Sequence, residues 1–174
     1  MNRNILSLAL LPMLFGVPAS AHDLNDLQIA HAAYTAGYID IRYAHLALAL
    51  SENSDVRDFA TTMVRDHAAV NDAAIALVTE LNVTPEDNEL SQTLVKGASD
   101  KRSELMSLEG KAFDCAYATN ELAYHQVVNE TIKDHFLPSV TVEPLKKLLE
   151  DALATFQQHE GHAEQMVAGL GCAS

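Results

Sequence analysis

Five stretches of the chain repeat apolar residues at intervals of three and four, and no stretch of useful length alternates. That period lines up one face of an α-helix, so the pattern predicts an all-α chain. Helix A covers 24–51 and is apolar nearly all round, with Ile29, Ala32, Ile39, Tyr43, Leu46 and Leu50 on its cleanest stripe. Helix B covers 54–82, with Ser54 as the expected N-cap, Asp55 in its first turn and a seam through Val56, Phe59, Met63, Val70 and Leu77. Thr84-Pro85-Glu86-Asp87 offers a cap, a proline for the first helical position and two acids, so helix C is expected to begin there and stop before Gly110. Its apolar side, Leu90, Leu94, Ala98 and Leu105, is narrower. Helix D covers 112–136 and is closed by Leu137-Pro138. Helix E starts near Glu143-Pro144 and ends at Gly169 or Gly171, with a seam through Leu145, Leu149, Ala152, Phe156, Ala163 and Met166.

The linkers imply the topology. The A–B and D–E turns are short, so each pair is an antiparallel hairpin. Helix C, shorter and more polar, joins the hairpins. If it returns along the outside, B and D run the same way. That is the single-crossover arrangement of ferritin-like bundles: four main helices plus a shorter crossover helix. An ordinary five-helix bundle is the competing reading.

The start of the chain changes the picture. Arg3, the apolar run 5–17 and the small residues at Ala19 and Ala21 read as a cleaved signal peptide over 1–21, with one domain over 22–174 beginning at His22. The apolar run is too short to span a bilayer, and no cysteine follows it to carry lipid, so a soluble periplasmic protein without a membrane anchor is expected. Formal net charge is −13, and loss of Arg3 makes it one unit more negative. Such a surface argues against nucleic acid and anionic lipid as partners. Homo-oligomers remain open. An exported chain with two cysteines commonly pairs them, and Cys115 and Cys172 lie at ends of D and E that meet in an antiparallel hairpin.

Polar residues interrupt the apolar seams at matching depth. His67 sits inside the seam of B, and His159 inside that of E. Counting about 1.5 Å per residue from the turns puts Asp40, Asp66, His67, Glu121, His125 and His159 within roughly two helical turns of one another. The ring nitrogens of His67, His125 and His159 are therefore expected to meet, with Glu121 as the nearest carboxylate and Asp40, Asp66 and His162 as further partners. Imidazole with carboxylate suits Zn, Cu, Fe or Mn. Met63 and Met166, each one turn from a histidine, tilt toward copper, although methionine on a seam is usually packing. In the competing account each histidine bonds a tyrosine or backbone carbonyl of its own. The five tyrosines are expected in the core, and His135 at the C-terminal end of helix D.

The stretches Tyr38-Ile-Asp-Ile-Arg-Tyr-Ala44, Asp55-Val-Arg-Asp-Phe-Ala60, Met63-Val-Arg-Asp-His67 with Asn71, and Ala112-Phe-Asp-Cys-Ala-Tyr117 with Tyr124-His125 resemble a bacterial family of exported, ferritin-like proteins, domain of unknown function 4142. The resemblance covers nearly all of the mature chain and implies a helical bundle in the cell envelope. It implies little about activity. His31 and His45 depart from the family pattern.

No Glu-x-x-His pair occurs, so the di-iron carboxylate chemistry of ferritin-like sites is not expected. His159-Glu-Gly-His162 lacks the zinc-protease spacing, since Ala163 stands where the second histidine belongs. There is no nucleophile elbow, phosphate loop or Cys-x-x-Cys. The reading is a metal-handling or envelope-stress protein rather than an enzyme. The alternative is a structural or interaction protein of the envelope whose polar core holds no metal.

Overall fold

The computed structural model describes residues 24–172; the expected signal peptide, 1–21, and His22 lie outside the described residues. Five long helices form the bundle: α1 (Asp26–Leu50), α2 (Ser54–Glu80), α3 (Glu89–Leu105), α4 (Gly110–Thr131) and α6 (Glu143–Leu170). Between the last two, α4 runs on through a wide turn, Ile132–Phe136, and the short α5, Leu137–Ser139. The expected stop at Leu137-Pro138 is thus a widening followed by one more turn.

Caps explain the ends. Asn25 and Gln28 cap α1 reciprocally, each side chain accepting from the other's backbone N–H. At α2 the cap is Asn53, not Ser54: its Oδ1 accepts from the N–H groups of Asp55 and Val56 at 2.9 and 3.2 Å. Asn53→Ala should therefore cost about 1 kcal/mol, and Ser54→Ala far less, in urea melts. Equal losses would return the cap to Ser54. Helix α3 starts later than Thr84-Pro85-Glu86-Asp87 suggests. That stretch is tied to the start of α1 instead, with the Glu86 N–H donating to the Leu27 carbonyl at 3.1 Å and Asn88 Nδ2 to the Gln28 carbonyl at 3.1 Å. Asn88 then caps α3. Gly171, at φ 61°, ends α6 in the left-handed conformation that glycine tolerates.

Helices α2 and α4 run the same way. Both start near one end of the bundle, where Ser51 Oγ donates to Asp114 and where Phe59, Leu105 and Phe113 share one apolar cluster. Helix α3 begins at the opposite end, beside Gln28, and returns along α1. It buries Leu90, Ser91, Ala98 and Leu105, far less of its length than α1 buries. The fold is an all-α bundle of four main helices with α3 as the shorter crossover element. Cys115 and Cys172 form a disulfide with Cα atoms 5.4 Å apart, joining the start of α4 to the chain just beyond α6.

The core comes in two parts. One surrounds Tyr43, Phe59, Met63, Phe113 and Tyr117. The other surrounds Ile29, Ile132, Phe136, Leu145 and Phe156. Every main helix passes from one cluster to the other, and five buried ionisable residues lie at that passage: Asp40 on α1, His67 on α2, Glu121 and His125 on α4, and His159 on α6. Met63 and Met166 both belong to the first cluster. Tyr38 is the exception among the tyrosines expected inside: it is exposed, with the Arg42 guanidinium 5.7 Å from its ring centroid. His135 falls within the wide turn after α4 rather than at the end of the helical run.

Candidate metal centre

Burial of five ionisable side chains in one layer needs compensation, because each loses its hydration. The layer supplies little from its own hydrogen bonds. Both oxygens of Asp40 and both of Glu121 are buried without a partner in hydrogen-bond geometry, as are Nδ1 of His67 and of His159. Orphans of this kind are rare in native cores and call for an explanation.

Distances show what the orphans face. His67 Nε2 and His125 Nε2 are 3.4 Å apart. Asp40 Oδ2 is 3.6 Å from each of them. These three atoms form a nearly equilateral triangle in the bundle interior. The ring centroids of His67, His125 and His159 are 5.4 to 5.6 Å apart. One ring nitrogen from each lies within 4.8 Å of those of the others, and Asp40, Glu121 and His125 form a second such group.

Two histidines are oriented from behind. His125 Nδ1–H donates to the Glu121 backbone carbonyl at 2.9 Å, which leaves Nε2 with its lone pair toward the triangle. His159 Nε2 lies 3.0 Å from Asp66 Oδ2. Asp66 in turn is gripped by Arg65, through Nε at 2.6 Å and Nη2 at 3.0 Å. A histidine that gives one nitrogen to a carbonyl or carboxylate and offers the other is the arrangement metal ligands use. His67 instead stacks on Phe156, with ring centroids 4.4 Å apart.

Protonation fits the same use. Burial pushes His67 down to about 3, helped by the nearby His159. Burial also lowers His125, against the pull of Asp40, and lowers His159, against Asp66. All three rings are therefore neutral at pH 7, the state that binds metal. Burial raises Asp40 to about 6, opposed by His125. Glu121 is pushed well above the usual carboxylate range, first by burial and then by the neighbouring Asp40 carboxylate. Asp66 stays low because Arg65 bonds it.

Three expectations change. Asp40, not Glu121, is the carboxylate nearest the His67–His125 pair; Glu121 Oε2 comes only within 3.9 Å of His125 Nδ1. Its position on α1, directly across from α2 and α4, decides this. His162 is exposed and rests edge-on against Phe59, with centroids 5.2 Å apart, outside the cluster. Asp66 is a support for His159 rather than a member of the inner group. Arg65 was not read from the sequence; an arginine beside Asp66 was its only signal. No tyrosine hydroxyl bonds these histidines among the described residues, and that of Tyr124 donates to the Ala36 carbonyl.

A family model described as Domain of unknown function (DUF4142) matches residues 16–166. No curated protein and no solved structure matches the chain. The match covers most of the sequence, and the chain belongs to that family.

Proposed function

We propose that this member of the DUF4142 family is an exported, ferritin-like bundle that binds one first-row transition-metal ion between its main helices and handles that metal in the cell envelope. The triangle of His67 Nε2, His125 Nε2 and Asp40 Oδ2, with sides of 3.4, 3.6 and 3.6 Å, carries the reading. Ligands about 2.0–2.2 Å from a tetrahedral ion stand roughly 3.3–3.6 Å from one another. These donors match that spacing without moving. His159, held by Asp66, is the nearest further nitrogen, and Glu121 the further carboxylate. Neutral imidazole with carboxylate accepts Zn, Cu, Fe or Mn. No buried thioether of Met63 or Met166 needs to take part, since both pack in the apolar core.

The paired hairpins joined by one long connection support the ferritin-like assignment. The missing Glu-x-x-His pairs favour binding over oxygen activation. The leader-like residues 1–21 support export, and the disulfide suits an oxidising compartment such as the periplasm. Among the described residues no helix is long and apolar enough to cross a membrane.

Calorimetric titration of chelator-stripped protein with Zn²⁺, Cu²⁺, Mn²⁺ and anaerobic Fe²⁺ tests the reading. At least one ion should bind at one per chain with release of protons. At a hundredfold excess over Kd it should add about 2.7 kcal/mol of stability. No binding and no change in melting by any of the four would leave the structural or interaction protein as the correct account. The first residue of protein recovered from its native host should be His22.

A further inference from the structure

Beside the polar layer lies a cavity of about 580 Å³, lined by residues of α1, α2, α3, α4 and α6. Its walls are largely apolar, and His67 and His125 close one end. Toward the other end they include Ile132, Phe136, Leu145 and Leu149. On α6 the wall extends from Leu145 to Phe156, which at 1.5 Å per residue is about 16 Å. The space is therefore long and narrow. Native interiors are close-packed, with few voids larger than a water molecule. An engineered apolar cavity of only about 150 Å³ stays dry and takes up benzene. A bore this large is of the size used to hold a small molecule, roughly 300–1,000 Å³.

The mouth narrows the ligand class. Helix α3 packs along α1 and scarcely touches α2, leaving a slot between them. Exposed Ile75 stands on the α2 side and Lys96 on the α3 side. The Lys96 ammonium lies at the rim, bonded at 3.0 Å only to the exposed Asp100, a pair of little strength. The interior end is unsuited to an anion, because Asp40 and Glu121 are there. An anionic head belongs at the wet rim, where it can take the place of Asp100 on Lys96, and an apolar tail in the bore.

We propose that the cavity binds one straight-chain fatty acid, its tail along the bore toward Phe136 and Leu145 and its carboxylate at the mouth beside Lys96. This site does not depend on metal, so the experiment is done on the full chain in excess chelator, where loss of the metal reading leaves it untouched. The probe is cis-parinaric acid, followed by fluorescence and displaced by laurate or palmitate below their micellar range. Binding should saturate at one per chain. Ala152→Phe fills the bore from α6 and Ala33→Phe from α1; each should weaken binding at least tenfold while the helical circular dichroism is kept. Should one of them fail to fold, the other carries the test. Lys96→Glu should weaken the acids several-fold and leave dodecanol displacement unchanged. The proposal is overturned if the wild type does not bind the probe, or if the folded filling variants bind as the wild type does. Equal loss of acid and alcohol in Lys96→Glu overturns the placement of the carboxylate.

Discussion

Asp40→Asn should make the metal-free protein more stable at pH 8 and, in the same molecule, weaken metal binding at least a hundredfold. Asp40 is fully buried, and burial raises its pKa from 3.8 to about 6. A carboxyl raised in the folded state contributes stability below its unfolded pKa and loses it as pH rises through the folded one. Near pH 4 the acid is protonated in the fold and asparagine is close to an isosteric replacement, so the variant should match the wild type. Above about pH 7 the wild type holds a charge that the fold disfavours by about 3 kcal/mol, a cost the amide avoids. His67 slopes the other way, since its lowered pKa removes stability as pH falls from about 6.5 toward 3. Comparing variant with wild type at each pH removes the slope of His67, whose shift is set by burial, His159 and Asp66, and leaves that of Asp40 with the neighbours it shifts, Glu121 and His125. The loss of affinity follows because the amide gives up the anionic donor of the triangle. Urea melts at pH 4 and 8, with calorimetry at pH 7, check both halves. A variant less stable than the wild type at pH 8, with metal affinity intact, would show that Asp40 serves only the fold.

Reduction of Cys115–Cys172 should lower stability by about 4 kcal/mol, because the bridge closes 57 residues of chain in the unfolded state. For a domain of this size that is roughly 8–16 °C in melting temperature. The link ties the start of α4 to the chain just beyond α6, at the end of the bundle where Phe113, Tyr117 and Met166 pack. Melting with and without a reductant, and of the paired Cys115→Ala and Cys172→Ala substitutions, measures it. Two free thiols in the unreduced denatured protein would reject the bridge in solution. If the polar layer is built by the packing of α4 against α6, reduction should also weaken metal binding, while the far end around Phe136 and Leu145 is less affected.

Much of this architecture was legible in the order of residues. Apolar seams at helical spacing located five helices, and two short turns made two hairpins. Residue counts from those turns placed His67, His125 and His159 at one level, and their rings do meet. The cysteine pair followed from the same antiparallel geometry. These are consequences of a fixed rise per residue and a fixed period, which the order of residues carries by itself.

What the sequence left open depends on contacts between distant segments. Asn53 displaces Ser54 as a cap because its amide oxygen meets two N–H groups at once. The stretch 84–88 stays non-helical because the start of α1 takes its hydrogen bonds. Depth along a helix was readable, but the direction in which a side chain points across the bundle was not. His162 lies at nearly the depth of His159 yet rotates outward onto Phe59. Asp40, on a helix apolar nearly all round, had no visible face of its own; only the seating of α1 against α2 and α4 brings its carboxylate 3.6 Å from two imidazoles. The cavity left no sequence signal either, since a void is the shape remaining after five helices have packed. The sequence by itself determined the helices, their hairpins and the level of the polar layer, all set by spacing along one chain. The tertiary structure decided which donors face one another and where space remains, because those depend on how each helix is rotated and seated against the others.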